Sequence, residues 1–537
     1  MSFEIPSQYT RNVNTSASGD SVSIEDSEKF SYGTAGFRNK AEKLSFIVFR
    51  CAYLAGLRAK KTDKTTGLMI TASHNPACDN GVKIVDPMGD MLSPEWENFA
   101  TQLVNSTDDD LPSTICALEL EVNAMCAMKA KVVCAMDTRE SGPHLMLAAK
   151  AGTAMANVEF EDLGVLTTPQ LHYIVRANND SEFGKPSESG YYEAFSTVFK
   201  ELYEITDEPK DSKYSKNLVL DCANGVGAPR FMDLLKLIDN KYLNVNFRNI
   251  KGDLNHKCGA DFVKISQSLP LHFTAADEKC ASFDGDADRL IYFRPLCSKN
   301  IQILDGDKIA VLLATYIQEQ LNELRKSSDV KLTLGIVQTA YANGSSTKYI
   351  KEKLGVTPEI VPTGVKNLHH AAVKYDIGVY FEANGHGTVV FSEKFDKEIR
   401  KSESDNAALR RLKLFSRLIN EVVGDAFADL LAVEIVLRHF GWSIEDWATK
   451  LYQDVPNIQI KVPVSDRSIY KTTWEETTLL EPEGLQEKIN HHVSEFENAR
   501  AFIRPSGTEN IVRVYAEADS LENTQKLGAA LEQLICN

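Results

Sequence analysis

The chain has 537 residues, a hydrophobic content of 43%, a charged content of 25% and a formal net charge of −16. That length exceeds what one hydrophobic core organises and, at ~150 residues per domain, points to three or four domains. The acidic balance excludes tracking along a nucleic-acid backbone, which needs a basic face, but leaves room for a local basic pocket that takes a phosphorylated small molecule.

The ten cysteines run from Cys51 to Cys536 with no CxxC pair and no histidine cluster. That pattern fits reduced thiols in a cytoplasmic protein better than a disulfide framework or a zinc site. Residues 1–29 are polar and acidic, without the apolar segment of a secretory signal, and no stretch reaches the ~20 apolar residues of a membrane helix. The expectation is therefore a chain with neither nucleic acid nor membrane as partner.

Taken in chain order, the apolar runs 67–70, 131–136, 217–222, 332–337 and 377–382 read as buried strands. Each is followed by a Gly/Asn/Asp-rich loop and then a helical pattern, as at 307–323. Repeated strand–loop–helix units predict an α/β protein with its sites at the carboxyl ends of the strands. A polar break at 179–190 and a shift near 294–299 mark candidate boundaries. A helical, charged stretch at 394–446 then leads into a strand beginning near "DVPNIQIKVPV" that opens a C-terminal domain. The domains are accordingly placed at 1–185, 186–298, 299–445 and 446–537.

Four motifs carry chemistry. In "TASHNP" a strand delivers Ser73 into a turn beside His74 and Asn75, with Lys83 further on; Pro76 keeps the preceding residue out of helical geometry. The bland alternative is a turn or N-cap serine, and no G-x-S-x-G makes it a hydrolase elbow. In "DGDADR", Asp284, Asp286 and Asp288 alternate before Arg289, and carboxylates so spaced can converge on one hard cation. An EF-hand would need Gly and Glu where Arg289 and Pro295 stand. The similar Asp305 and Asp307 precede an apolar-periodic helix and read as N-caps. "NGVGAPR" fails as a dinucleotide loop because Arg230 replaces the third glycine.

In "EANGHG", Glu382, Asn384 and His386 offer a carboxylate, an amide and an imidazole on a glycine-loosened loop, suited to vicinal hydroxyls. In "RPSGTE", Arg504, Ser506, Gly507 and Thr508, with Arg513 beyond, supply guanidinium forks, hydroxyls and backbone N–H groups for a phosphate. Taken alone, either loop reads about as well as an ordinary turn. Arg38 on a two-glycine loop and Lys366 in "PTGVKNLHH" add cations, while at least one of His369 and His370 reads as an ordinary packed or surface histidine. Together these parts suit phosphoryl transfer, which depends on positioning and charge neutralisation. With no P-loop and no kinase motifs, the phosphate comes from the protein rather than a nucleotide.

"TASHNP", "DGDADR", "EANGHG" and "RPSGTE", in that order, resemble the α-D-phosphohexomutase superfamily. "DNGVKIVDPMG", the alanine inside "DGDADR" and the sugar loop are most similar to its phosphoacetylglucosamine mutase branch. The resemblance runs from Tyr32 to Arg513 and the strand beyond. It implies four domains around a central cleft, three α/β with mixed sheets and a smaller C-terminal α+β domain. It also implies interconversion of N-acetylglucosamine 6-phosphate and N-acetylglucosamine 1-phosphate, with a hexosamine bisphosphate as intermediate and activator. By the same resemblance Ser73 is the phosphoserine, and Ser73, Asp284, Asp286 and Asp288 hold one magnesium ion per active site. His74, Lys83, Arg38 and Arg289 surround the transferring group, with His74 and Lys83 the candidates for the hydroxyl proton. Glu382, Ala383, Asn384 and His386, with Lys366, select the sugar; Arg504, Pro505, Ser506, Gly507, Thr508 and Arg513 clamp the other phosphate. The expected assembly is a monomer acting on small sugar phosphates. The alternatives are a glucose or mannose phosphomutase, or a non-catalytic sugar-phosphate sensor of the same fold.

Overall fold

The computed structural model describes residues 5–123, 129–297, 300–506 and 510–536. The chain forms two compact units, one running to Ile303 and including Leu414–His439, the other comprising Leu304–Lys413 and the chain from Phe440 onward.

The first unit opens with a two-stranded ribbon, β1 (Asn14–Thr15) and β2 (Ser21–Val22). A mixed sheet follows, made of β3 (Phe37–Lys40), β4 (Thr65–Ile70), β5 (Asp79–Val85), β6 (Lys131–Met136) and β7 (Glu159–Val165) in the order β3-β5-β4-β6-β7. β4 is buried at every residue, which is why it reads as a continuous apolar run rather than an alternating one. Helix Ser45–Thr62 packs on this sheet with Phe46, Phe49, Tyr53 and Leu54 fully covered, each worth about 1.5–3 kcal/mol of burial. A second mixed sheet contains β8 (Asn217–Asp221), β9 (Asn244–Arg248), β10 (Cys280–Phe283), β11 (Leu290–Pro295) and β12 (Ile301–Leu304), ordered β12-β11-β10-β8-β9.

The segment Leu414–His439 joins this unit although it lies far along the chain. Buried Glu434 anchors it, accepting from Lys279 Nζ at 2.6 Å, Tyr214 OH at 2.9 Å and Tyr292 OH at 2.9 Å. Asp425 caps its helix Ala426–Phe440, its Oδ1 accepting from the N–H groups of Phe427 and Ala428. The stretch 394–446, expected to be broadly helical, is broken into several pieces, including helices at Ala407–Leu418, Ala426–Phe440 and Ile444–Lys450.

The second unit holds a third mixed sheet of β13 (Leu334–Thr339), β14 (Glu359–Val361), β15 (Ile377–Phe381) and β16 (Gly387–Phe391), ordered β14-β13-β15-β16. β13 starts two residues after the apolar run that announced it. Thr333 N–H and Oγ1 are already bound to Asp376 Oδ2, so a side chain holds the run's beginning instead of the ladder. Helix Gly306–Arg325 begins as expected at Asp305, whose side chain accepts from Asp307 and Lys308 N–H groups. The C-terminal part has an antiparallel sheet of β17 (Asn457–Pro463), β20 (Arg500–Pro505) and β21 (Ile511–Glu517) beside a small ribbon of β18 (Lys471–Thr472) and β19 (Leu479–Glu481). Three mixed α/β sheets and one antiparallel C-terminal sheet match the expected fold class.

Candidate active site

In the first unit, the carboxyl ends of β4, β6 and β10 bring their loops to one place. Ser73 follows β4 in the left-handed region at φ +51°, a conformation that costs an L-residue about 1–2 kcal/mol. Its N–H donates to Thr71 Oγ1 at 3.0 Å, and Thr71 in turn donates to Asp137 Oδ2 at 2.7 Å. Arg139, from the loop after β6, fixes the rest of the turn. Its guanidinium donates to Ser73 O at 3.0 Å, Asn75 O at 2.9 Å, Pro76 O at 2.5 Å and Asp79 O at 2.8 Å. Asp137 holds it at 3.0 Å through Nε. Asn255 donates a second time to Ser73 O and Asn75 O, both at 2.9 Å.

The strained turn points its hydroxyl at the aspartate loop, where Ser73 Oγ donates to Asp284 Oδ2 at 2.6 Å. Gly285 permits the approach: a Cβ there would lie 2.4 Å from Ser73 O. Asp284, Asp286 and Asp288 are all buried, with ligand atoms within 4.8 Å of one another. Burial, and then the Asp288 and Asp286 charges, push the Asp284 carboxyl well above its usual range. Asp286 Oδ1 is buried without a hydrogen-bond partner among the described residues. Three converging carboxylates with an orphaned inward oxygen are the donor set of a hard divalent cation, so the residues fit magnesium.

The loop's backbone is held as firmly as its side chains. The carbonyls of Gly285, Asp286 and Ala287 accept from the N–H groups of Val226, Thr168 and Ala426 at 3.1, 3.3 and 3.2 Å. Those donors stand at the starts of helices Gly227–Leu235, Thr168–Asn179 and Ala426–Phe440. Three positive helix ends therefore face the acidic loop and offset part of its charge. Thr168 also donates its hydroxyl to Asp286 Oδ2 at 2.6 Å.

The expected cations surround this cluster. Lys83 Nζ lies 3.7 Å from Asp286 Oδ2 and 3.6 Å from Asp288 Oδ2. Arg289 Nε is 3.8 Å from both Asp284 and Asp288 oxygens, while its Nη1 donates to Asp261. Burial pushes the Arg38 guanidinium down from its ordinary value against the pull of Asp286, and its Nη1 reaches Asn75 Oδ1 at 3.5 Å. His74 is pushed down to about 4 by burial and then by the Arg289 cation, which keeps the imidazole neutral. Its Nδ1 is buried without a hydrogen-bond partner among the described residues.

In the second unit, Glu382, Ala383, Asn384 and His386 occupy the turn joining β15 to β16. Glu382 N–H donates to His386 O, His386 N–H to Asn384 Oδ1, and Asn384 Nδ2 to Glu382 Oε2 at 3.1 Å. A Cβ on Gly306, at the start of helix Gly306–Arg325, would lie 1.9 Å from Glu382 O, so the helix supports this turn directly. Lys366 sits in the first turn of helix Val365–Ala372, after β14. His369 Nδ1 pairs with Tyr380 OH at 3.1 Å, a packing role.

Arg504 and Arg513 stand directly opposite one another on β20 and β21, a repulsive arrangement unless an anion lies between them. Pro505 and buried Ser506 begin the connecting turn, with Ser506 N–H donating to Ile511 O at 2.9 Å. Gly507 and Thr508 lie outside the described residues. Sequence reasoning missed Asp137, Arg139, Thr168, Asn255 and Asp425. The signal for the first two was legible: "DTRE" places an acid and a base just beyond a buried strand.

Four family models match the chain, over five stretches. Phosphoacetylglucosamine mutase AMG1 domain II matches 184–291 and domain III matches 305–442. Phosphoglucomutase/phosphomannomutase alpha/beta/alpha domain I matches 53–110 and 113–183, and the C-terminal domain of that group matches 460–534. The phosphoacetylglucosamine mutase of Candida albicans is 45% identical over 531 residues, covering 94% of this chain and 96% of the relative. The crystal structure of Aspergillus fumigatus N-acetylphosphoglucosamine mutase in complex with GlcNAc-6P and magnesium superimposes with a TM-score of 0.89 at 42% identity, covering 95% of this chain and 96% of that one. A serine-to-alanine variant of that Aspergillus protein, in complex with glucose 1,6-bisphosphate, gives a TM-score of 0.86 at 42% identity, with 96% of each chain covered.

Proposed function

This chain belongs to the phosphoacetylglucosamine mutase family of the α-D-phosphohexomutase superfamily, and on that premise we propose that it interconverts N-acetylglucosamine 6-phosphate and N-acetylglucosamine 1-phosphate through phosphorylated Ser73. The reaction makes it an isomerase that supplies the sugar 1-phosphate for UDP-N-acetylglucosamine synthesis. The observation that carries the reading is the hydrogen bond from Ser73 Oγ to Asp284, which puts a serine hydroxyl on a strained, immobilised turn against the carboxylates that fit a cation.

Phosphorylated Ser73 donates to the free hydroxyl of the bound monophosphate: the Ser73 Oγ–phosphorus bond breaks and a sugar oxygen–phosphorus bond forms, giving the bisphosphate. The bisphosphate then turns end for end, and its other phosphate returns to Ser73. His74 and Lys83 are the candidates for taking the hydroxyl proton, and His74 Nδ1 is buried without a hydrogen-bond partner among the described residues. Lys83, Arg38 and Arg289 keep positive charge around the moving phosphoryl group. Ser73, Asp284, Asp286 and Asp288 would hold magnesium, which would supply charge neutralisation at the serine oxygen as it leaves. Glu382, Ala383, Asn384, His386 and Lys366 select the sugar. Arg504, Pro505, Ser506, Gly507, Thr508 and Arg513 clamp the non-reacting phosphate, and arginine forks with rotatable hydroxyls suit a clamp that must accept either end.

We also assign the protein to the cytoplasm as a monomer. Nine free cysteines among the described residues fit a reducing compartment. No helix among the described residues is long and apolar enough to cross a membrane.

The test is phosphorus NMR on purified protein with magnesium, a trace of hexosamine bisphosphate and N-acetylglucosamine 6-phosphate. The 1-phosphate forms with wild type and not with Ser73→Ala. Absence of product from wild type, with glucose 6-phosphate equally inert, overturns the enzyme reading.

A further inference from the structure

Glu476 occupies the turn between β18 and β19 in the left-handed region, at φ +58°, where a non-glycine residue is held only by its surroundings. Its N–H closes the turn on Thr473 O at 3.0 Å. Its carboxylate reaches in two directions. Oε1 lies 3.2 Å from Arg504 Nε. Oε2 accepts from Thr363 N–H at 3.0 Å and from Thr363 Oγ1 at 2.8 Å, in the loop that leads to Lys366. The pair is largely sheltered, with the Arg504 and Glu476 side chains 12% and 17% exposed. Arg504 also lies over the ring of Tyr341, its guanidinium carbon 5.9 Å from the centroid, and faces Arg513 across the hairpin.

An acid is thus fixed against the arginine that stands nearest to repelling Arg513, at the hairpin assigned to phosphate. We propose that Glu476 is a displaceable internal anion for that clamp: its carboxylate holds Arg504 while no phosphate is bound and yields the guanidinium to a phosphoryl group on binding. The inference rests on the reading of Arg504 as a phosphate ligand. A phosphate dianion outcompetes a carboxylate for a guanidinium by charge and by its number of acceptor oxygens. Thr363 keeps two hydrogen bonds to Oε2 throughout, so the displaced carboxylate stays close enough to return. The proposed reaction requires the clamp to release one phosphate and take the other in each turnover. A returning carboxylate spares the two opposed arginines from standing bare between those events.

The experiment uses the full chain and inorganic phosphate as the probe, with N-acetylglucosamine 6-phosphate for kinetics. Glu476→Gln removes the charge; Glu476→Asn does the same with a residue that tolerates the left-handed region, so a folded variant is in hand; Arg504→Met tests the clamp. Both Glu476 variants melt lower than wild type without phosphate and show a larger phosphate-induced rise in Tm. The phosphate Kd and the KM both fall about five-fold, as loss of a partly exposed competing ion pair implies, and kcat falls as release slows. Glu476→Asp restores wild-type values. If Arg504→Met weakens phosphate binding while the Glu476 variants leave it unchanged or weaker, the clamp stands and the internal-anion role is wrong. If Arg504→Met leaves phosphate binding unchanged, the clamp assignment falls and takes this inference with it.

Discussion

Replacing Arg139 with methionine separates the strained serine turn from what holds it. The guanidinium is buried and donates to four carbonyl oxygens of the segment Ser73–Asp79 while paired to buried Asp137. Two of those carbonyls, Ser73 and Asn75, retain Asn255, and Pro76 O retains the Asp79 N–H. Asp137, whose carboxyl burial already pushes up against the Arg139 cation, is left with Thr71 and the backbone. Breaking a buried ion pair from one side costs about 3–5 kcal/mol, or roughly 10 °C in the melting of a domain this size. The turn also relaxes from φ +51°, and a displacement of ~1 Å at Ser73 costs about 100-fold in the transfer step. Thermal unfolding and a single-turnover phosphoryl-transfer assay read the two effects. Adding Asp137→Asn to Arg139→Met removes the stranded charge, so stability partly recovers, whereas transfer does not because the carbonyls still lack their donor. Stability within about 1 kcal/mol of wild type, with transfer within about three-fold, refutes the assignment of Arg139 as the residue that positions Ser73. Joint recovery of both in the double variant would show that charge alone, not the turn, had been damaged.

Three further outcomes are expected. Asp286→Asn relieves repulsion among the buried carboxylates and neutralises the orphaned Oδ1, so the protein in EDTA melts higher than wild type; the magnesium-induced gain, about 2.7 kcal/mol at 100 times Kd for wild type, shrinks, and a lower melting point in EDTA contradicts the repulsion argument. Gly306→Ala forces a Cβ into Glu382 O and raises KM for the sugar phosphate at least several-fold, roughly 1 kcal/mol or more of binding, while the magnesium-induced rise in Tm is unaffected because the carboxylates belong to the first unit; an unchanged KM disproves the support given to the sugar turn. Asp429 is buried with Oδ2 unpartnered among the described residues, and burial followed by the Asp425 charge pushes its carboxyl well above the usual range. The folded state therefore binds this proton more tightly than the unfolded state, and stability falls as pH rises above the ordinary carboxylate range. Asp429→Asn flattens that fall in urea titrations run at rising pH from the ordinary carboxylate range upward, and an unchanged slope shows that Asp429 is not its source.

Local pattern decided a good deal. The apolar runs of β4, β6 and β15 are buried on both faces and short, so composition alone marks them. Asp305 caps its helix because capping is set by neighbours in sequence. Ser73 and the three aspartates were visible because their chemistry needs particular residue types at close spacing, and the fold brings Ser73 Oγ onto Asp284 across 211 residues. Sequence spacing could not show that Arg139, 66 residues away, would hold Ser73 O, since an arginine donor meets a backbone carbonyl without any requirement on that residue's identity. Nor could it show that Leu414–His439 folds back into the first unit to place Ala426 N–H on Ala287 O, or that Glu476 would face Arg504. Those contacts are made by backbone groups and single charges that leave no periodic trace along the chain. Residue types at close spacing mark the candidate chemistry along the chain; what holds those side chains in place comes from the tertiary structure, because positioning depends on long-range packing geometry rather than on residue type.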